Sequence, residues 1–268
     1  MFQIIERYVD LQNEYLKSVQ QLYLLQPTDL DPFGHALHGA LKLIDAIYLR
    51  ERLLTARPRR ILEVGSFLGF STRWILEATR GTESTLVSVD PGLRHRTFDK
   101  PRAHVRRFCA EFTSRLTLMD ACLSGKNESM FMRDYLNYEP RLSPRDALAI
   151  MDAVPVLTEP FGTFDFAFVD GDHNYDATLA NVLLVAKMMP EGGTIVVHDA
   201  ISYADVVPAL ENVCEATAGL TFAGVDGRSF HTCADRIAKL GARDATSIKA
   251  PLSDGLGIVV VSPRHDGK

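Results

Sequence analysis

The stretch Arg60-Ile61-Leu62-Glu63-Val64-Gly65-Ser66-Phe67-Leu68-Gly69-Phe70-Ser71-Thr72 decides the fold. An apolar run ends in an acid, two glycines four apart follow, and a helix-forming segment, Arg73-Trp74-Ile75-Leu76-Glu77-Ala78, comes next. That order reads as strand, tight loop, helix. Glycine at 65 and 69 lets the backbone turn and approach a ligand where a Cβ would collide. The helix behind the loop turns its unpaired N–H groups toward it. A dinucleotide loop calls for G-x-G-x-x-G, whereas this one is G-x-x-x-G with Glu63 just ahead of it.

Outward from this stretch, short apolar runs alternate with amphipathic ones, which predicts an α/β fold with a doubly wound, parallel sheet. The expected strands are 60–64, 85–89, 115–119, 165–169, 194–198, about 220–225 and 257–262. The expected helices lie near 71–80, 102–113, 144–154, 175–189 and 206–217. Ser143-Pro144-Arg145-Asp146 has the form of a helix start: a Ser cap, Pro in the first turn and an acid near the positive end.

Upstream, residues 1–56 read as a helical cap on a main domain of residues 57–268. Ile5, Tyr8, Tyr15, Val19 and Leu22 form one apolar stripe, and Leu37, Leu41, Ile44 and Tyr48 another. Packing on the domain is the expected role of this cap; a lid over a substrate and a homodimer contact are the alternatives. Two segments exceed what the architecture needs, at 124–142 and 226–256, and long loops of this kind serve recognition or assembly.

Composition excludes several classes. A net charge of −5 argues against nucleic acid or an anionic membrane as partner. No apolar run reaches membrane-spanning length, and Glu6, Arg7 and Asp10 interrupt any secretory signal. Cys109, Cys122, Cys214 and Cys233 show neither disulfide nor metal spacing, so a reducing cytoplasm is the expected location.

The chemistry concentrates in Phe164-Asp165-Phe166-Ala167-Phe168-Val169-Asp170-Gly171-Asp172-His173-Asn174-Tyr175, an apolar strand that breaks into Asp-Gly-Asp-His. Gly192-Gly193-Thr194-Ile195-Val196-Val197-His198-Asp199 repeats the event. Polar groups at the carboxyl ends of adjacent parallel strands face the crevice where such sheets bind ligands. Converging carboxylates repel one another in a partly dry cleft, and a hard divalent cation such as Mg²⁺ relieves that repulsion. The ion would also acidify a bound hydroxyl, with His173 as general base.

The E-x-G-x-x-x-G loop resembles the first motif of class I S-adenosylmethionine-dependent methyltransferases. The resemblance implies a Rossmann-like sheet of seven strands, the last two antiparallel. It implies that Glu63, Gly65, Ser66, Gly69 and Ser71 belong to the cofactor loop. Asp90, closing Thr85-Leu86-Val87-Ser88-Val89, then holds the ribose hydroxyls, and Asp120, closing Leu116-Thr117-Leu118-Met119, accepts from the adenine amino group. The plain alternatives are a strand-capping Asp90 and a turn-capping Asp120.

The Asp170 and Asp199 strand ends are similar to those of catechol- and caffeoyl-CoA-type O-methyltransferases. There the two acids ligate a metal, and His173 takes the place of a catalytic Lys. Ala200 stands where those enzymes have a third ligand, Asn. The wider pattern, residues 59–200 with Gly255-Leu256-Gly257-Ile258-Val259, resembles bacterial macrocin-type O-methyltransferases and cephalosporin-hydroxylase-like proteins.

The expected function is therefore methyl transfer from S-adenosylmethionine to a hydroxyl of a small molecule, a natural-product sugar or a phenol, assisted by a divalent metal. Asp170 and His173 are the catalytic candidates; Asp170, Asp199 and Asp172 are the metal candidates. Asp172 also reads as the cap of the helix from Tyr175, the preferred reading. His198 reads equally as a core histidine or a site residue. Trp74 reads as core, and His95, His104, His231 and His265 as surface. A metal-independent enzyme with a His base and a non-catalytic cofactor-binding protein are the rival functions.

Overall fold

The structure is a computed structural model, described here for residues 2–23, 41–90, 93, 101–121, 123, 153–231 and 253–263. Its elements are α1 (Phe2–Tyr23), α2 (Leu43–Ala56), β1 (Arg60–Val64), α3 (Phe70–Ala78), β2 (Thr85–Val89), α4 (Pro101–Phe108) and a 3₁₀ segment (Ala110–Arg115). They continue with β3 (Leu116–Met119), α5 (Ala153–Phe161), β4 (Phe166–Val169), α6 (Tyr175–Lys187), β5 (Thr194–Val197), α7 (Val206–Ala216), β6 (Leu220–Asp226), α8 (Arg228–His231) and β7 (Leu256–Val261). The insertion at 124–142, the Ser143 helix start, most of 226–256, Cys122, Cys233, His95 and His265 lie outside the described residues.

Seven strands form one sheet in the order β3-β2-β1-β4-β5-β7-β6. The first five pair in parallel, and β7 runs antiparallel between β5 and β6. The chain winds outward from β1 through β2 to β3, then crosses back to lay β4 on the other side of β1. That reversal opens a crevice at the carboxyl ends of β1 and β4. Strand β4 starts one residue later than expected. The Asp165 carboxylate instead accepts from Arg59 N at 2.8 Å and Arg60 N at 2.9 Å, tying the two strand entries together.

The apolar strands bury both faces. One core cluster joins Ile61, Phe166 and Phe168 to α1–α4; the other joins Leu62, Ala167 and Ile195 to α5–α7. The N-terminal helices share the first of these. Tyr8, Leu11, Tyr15 and Val19 of α1 are buried. Tyr8 and Tyr15 meet the Phe70 ring edge-on at 5.7 and 5.4 Å, a favoured aromatic geometry. Tyr8, Tyr15 and Val19 of the expected stripe thus pack within the chain. Trp74 is core as expected, its indole N–H donating to Ala46 O at 2.7 Å.

Two expectations need correction here. The helix expected over 102–113 stops at Phe108 and gives way to the 3₁₀ segment, in which Phe112 leaves helical geometry at φ −116°. Buried Phe112 lies under the guanidinium groups of Arg73, Arg80 and Arg115, 4.7 to 5.7 Å from its centroid, a tertiary demand that overrides local propensity. His104 is not on the surface. It is 2% exposed and stacks on Phe108 at 6.3 Å, and burial, helped by Arg107, pulls its pKa down to about 4. Among the described residues, no helix is long and apolar enough to cross a membrane.

Candidate active site

The β1 loop is shaped from inside the protein. Gly65 and Gly69 both have φ +88°, and a Cβ on Gly65 would stand 2.0 Å from the Asp170 carbonyl oxygen. The glycine is needed because the β4 terminus crosses immediately behind the loop. Glu63 and Ser71 of this loop are both buried. Glu63 is 0% exposed, and its two oxygens accept from Ser71 Oγ and Thr72 Oγ1, each at 2.7 Å. The acid fastens the first turn of α3 to β1. Periodicity shows an acid at a strand end but not the hydroxyls eight and nine residues on that satisfy it.

Burial pushes the Glu63 carboxyl up to about 7, against the pull of the Ser71 and Thr72 hydroxyls. A carboxyl raised in the folded state binds its proton more tightly there than in the unfolded chain. Stability from this group is therefore full below its unfolded value near 4.5 and falls as pH climbs toward about 7. Glu63→Gln is expected to remove that slope, changing the stability difference from wild type by about 3 kcal/mol between pH 4.5 and 7.5. Urea denaturation across that range checks it, and parallel profiles for the two proteins would contradict it.

Asp90 ends β2 beneath the same loop. Its Oδ2 accepts from Ser66 N at 2.7 Å and Phe67 N at 2.5 Å. The carboxylate thus orients the loop amides, and Ser66 itself is buried. Asp120, at the end of β3, is paired with Arg102 at 3.1 Å, and the same guanidinium donates to Leu118 O at 2.9 Å. Gly65, Ser66, Asp90 and Asp120 therefore lie at the carboxyl ends of β1, β2 and β3.

Four of the polar residues after β4 and β5 come together. His198 is 4% exposed, with Nδ1 3.0 Å from Asp170 Oδ1 and 3.4 Å from Asp199 Oδ2. His173 Nε2 stands 3.1 Å from the same Asp199 oxygen. Asp199 has φ +60°, so the chain turns sharply as it leaves β5, a strained setting for a non-glycine residue. Burial alone would discharge the His198 imidazole, but the Asp170 and Asp199 carboxylates outweigh it and hold its pKa well above the ordinary value. Burial would likewise raise Asp199, yet His198 brings it down to about 2.

Asp172 does not join them. Its carboxylate accepts from Asn174 N at 3.2 Å and Asn174 Nδ2 at 2.8 Å. Asn174 is the actual cap of α6, accepting from Ala177 N at 2.9 Å. The expected cap is corrected to a brace, because Asn174 sits one residue before the helix and Asp172 three. Ala200, in the place of a third ligand, is buried and its N–H donates to Gly255 O at 3.1 Å.

Sequence reasoning missed the back of this cluster. Asp45, on α2, is 0% exposed and accepts from Asp254 N at 2.7 Å, Gly255 N at 3.2 Å and the Ser253 hydroxyl. Its Oδ2 lies 3.4 Å from His198 Nε2, so both ring nitrogens of that histidine face carboxylates. Asp254 in turn pairs with Lys42 at 2.5 Å. The signal was an acid inside the apolar run Leu43-Ile44-Asp45-Ala46-Ile47-Tyr48.

Comparison with known proteins adds the following. A family model described as a methyltransferase domain matches residues 62–200. No curated protein matches the sequence. Among solved structures, the chain is similar to cofactor-bound Rv0187 from MTB, with a TM-score of 0.52 and 18% identity over 88% of this chain and 98% of that one. It is also similar to the S-adenosylhomocysteine-bound methyltransferase PaMTH1 of Podospora anserina, at 0.50 and 14% over 93% and 88%. The O-methyltransferase TomG of Streptomyces achromogenes, which is involved in tomaymycin synthesis, gives 0.49 and 18% over 84% and 82%. The first two share this fold.

Proposed function

We propose that this chain, which belongs to the methyltransferase-domain family, moves the methyl group of S-adenosylmethionine to a hydroxyl oxygen of a small molecule. One observation supports the oxygen acceptor: two carboxylate–imidazole pairs, His173–Asp199 at 3.1 Å and His198–Asp170 at 3.0 Å, stand side by side after β4 and β5. A hydroxyl must give up its proton as it attacks, and such pairs take and hold protons.

The donor supplies a methyl already activated on sulfonium, so the protein's work is alignment and proton removal. The Gly65–Gly69 loop would run beneath the donor, with Asp90 on the ribose and Asp120 on the adenine. With its Nε2 turned to Asp199, His173 would accept the acceptor's proton at Nδ1 as the oxygen–methyl bond forms and the sulfur–methyl bond breaks. Asp199 would then stabilise the imidazolium.

The donor atoms of Asp170, His198 and Asp199 lie within 4.8 Å of one another. Two carboxylates and an imidazole fit a divalent cation that accepts nitrogen beside oxygen, such as manganese or zinc, better than magnesium. Bound there, the ion would polarise the acceptor oxygen. A metal-independent reading also has an observation in its favour: His198 Nδ1 already faces both carboxylates, Asp170 at 3.0 Å and Asp199 at 3.4 Å, and offsets their charge without a cation.

Calorimetry with S-adenosylhomocysteine tests the core of this reading. Wild type is expected to bind it, and Asp90→Ala to weaken binding about 10- to 100-fold, the loss of charge-assisted hydrogen bonds. A wild-type protein with no affinity for it would remove the function. Turnover that persists after exhaustive EDTA treatment selects the metal-independent form.

A further inference from the structure

The Nε2 atom of His198 is buried and makes no hydrogen bond. It faces Asp45 Oδ2 at 3.4 Å, longer than the roughly 2.7–2.9 Å of a charge-assisted N–H···O bond. The two side chains are 5% and 0% exposed, so water does not supply the missing partner. A carboxylate oxygen of Asp254, a residue itself 7% exposed, completes a group whose donor atoms all lie within 4.8 Å of one another. Asp45 comes from α2, His198 from the end of β5 and Asp254 from the approach to β7.

The spacing is that of metal ligands. Zinc holds imidazole nitrogen at about 2.0–2.1 Å and carboxylate oxygen at about 2.0–2.2 Å, so two such donors at a tetrahedral angle stand about 3.4 Å apart. His198 Nε2 and Asp45 Oδ2 have this separation. The surroundings agree. A ligating histidine turns its other ring nitrogen to a carboxylate, and His198 Nδ1 lies 3.0 Å from Asp170 Oδ1. Ligating carboxylates are themselves hydrogen-bonded. Asp45 accepts from Asp254 N at 2.7 Å, Gly255 N at 3.2 Å and the Ser253 hydroxyl. Asp254 accepts from Lys42 Nζ at 2.5 Å and from the Ser202 hydroxyl.

We propose that Asp45, His198 and Asp254 form a second divalent-cation site, suited to zinc and buried behind the crevice. One nitrogen and two oxygen donors favour zinc over magnesium or calcium, which take six or more oxygens. The candidate ion of the crevice would sit on Nδ1 of His198, and this one on Nε2. Zinc and a proton are alternatives for the same Nε2 lone pair. With the ion bound, α2, β5 and the start of β7 are tied at one point, and its binding energy adds to the stability of the fold. This role is independent of methyl transfer.

The test is zinc titration of full-length protein stripped with EDTA and freed of chelator, followed by calorimetry and thermal melting. Wild type is expected to bind zinc and to melt about 5–10 °C higher at 100 times the dissociation constant. Asp254→Asn keeps the backbone bonds to Asp45 and should weaken this binding by about 100-fold or more. Asp199→Asn, which removes a carboxylate on the Nδ1 side, should retain it within about threefold. Anomalous diffraction at the zinc edge gives a readout free of any variant, with a peak expected on His198 Nε2. No zinc uptake by wild type, uptake unchanged in Asp254→Asn, or a peak at Nδ1 alone overturns the inference.

Discussion

Asp170→Ala is expected to lower turnover by about three orders of magnitude or more while leaving S-adenosylhomocysteine affinity within a few-fold of wild type. The reason is positional. Asp170 sits at the end of β4, its N–H bound to Val64 O at 2.7 Å, so its carboxylate is delivered by a buried strand and not by a loop. That carboxylate lies 3.0 Å from His198 Nδ1. Without it, any metal loses an oxygen donor and the His198 ring loses the partner that orients it. The cofactor loop depends on Asp90 and Glu63 instead and should stand. Asp170→Asn keeps an acceptor for His198 but not the charge, so it separates orientation from electrostatics. Single-turnover measurements beside calorimetry provide the check. Turnover above a tenth of wild type in Asp170→Ala would take this residue out of the chemistry.

Asp45→Ala is expected to destabilise the fold by about 3–5 kcal/mol at pH 7, the range for removing one partner of a buried charge pair. The substitution strands the Asp254 and Gly255 N–H groups and the Ser253 hydroxyl, and leaves charged His198 without a carboxylate at Nε2. Burial by itself would raise the Asp45 carboxyl, but His198, Ser253 and the Asp254 N–H together lower it. A carboxyl depressed in the folded state contributes stability above its unfolded value near 3.8 and loses it as pH falls through the folded value. The gap between wild type and Asp45→Ala should therefore be widest near neutrality and narrow below about pH 4. Urea titrations at pH 7 and 3.5 measure it, and a gap that widens in acid would contradict the assignment.

Asp45 also shows why the N-terminal helices matter to the site. Lys42 and Asp45 reach Asp254 and His198 from the start of α2, so this segment braces the acid–imidazole cluster from behind. Arg52 extends the attachment with two bonds to Asp226, at 2.8 and 2.9 Å. Packing, the first expectation for this segment, is what Tyr8, Leu11, Tyr15 and Val19 provide. The bracing came through a single acid in an otherwise apolar run.

The amino-acid sequence by itself determined the alternation of strands and helices, the glycine loop after β1, and the clustering of polar residues after β4 and β5. Each of these is written in contiguous residues, as periodicity, turn chemistry or an abrupt end to an apolar run. Only the tertiary structure decided which way the polar side chains turn. Glu63 and Asp172 were legible as acids near a site, but their contacts with Ser71, Thr72 and Asn174 were not. His198 became the hub because α2, β4 and β7 converge on β5, bringing together Asp45, Asp170 and Asp254, residues up to 209 positions apart. Burial and partner distance govern charge and orientation, and both are properties of the folded neighbourhood that no local pattern encodes.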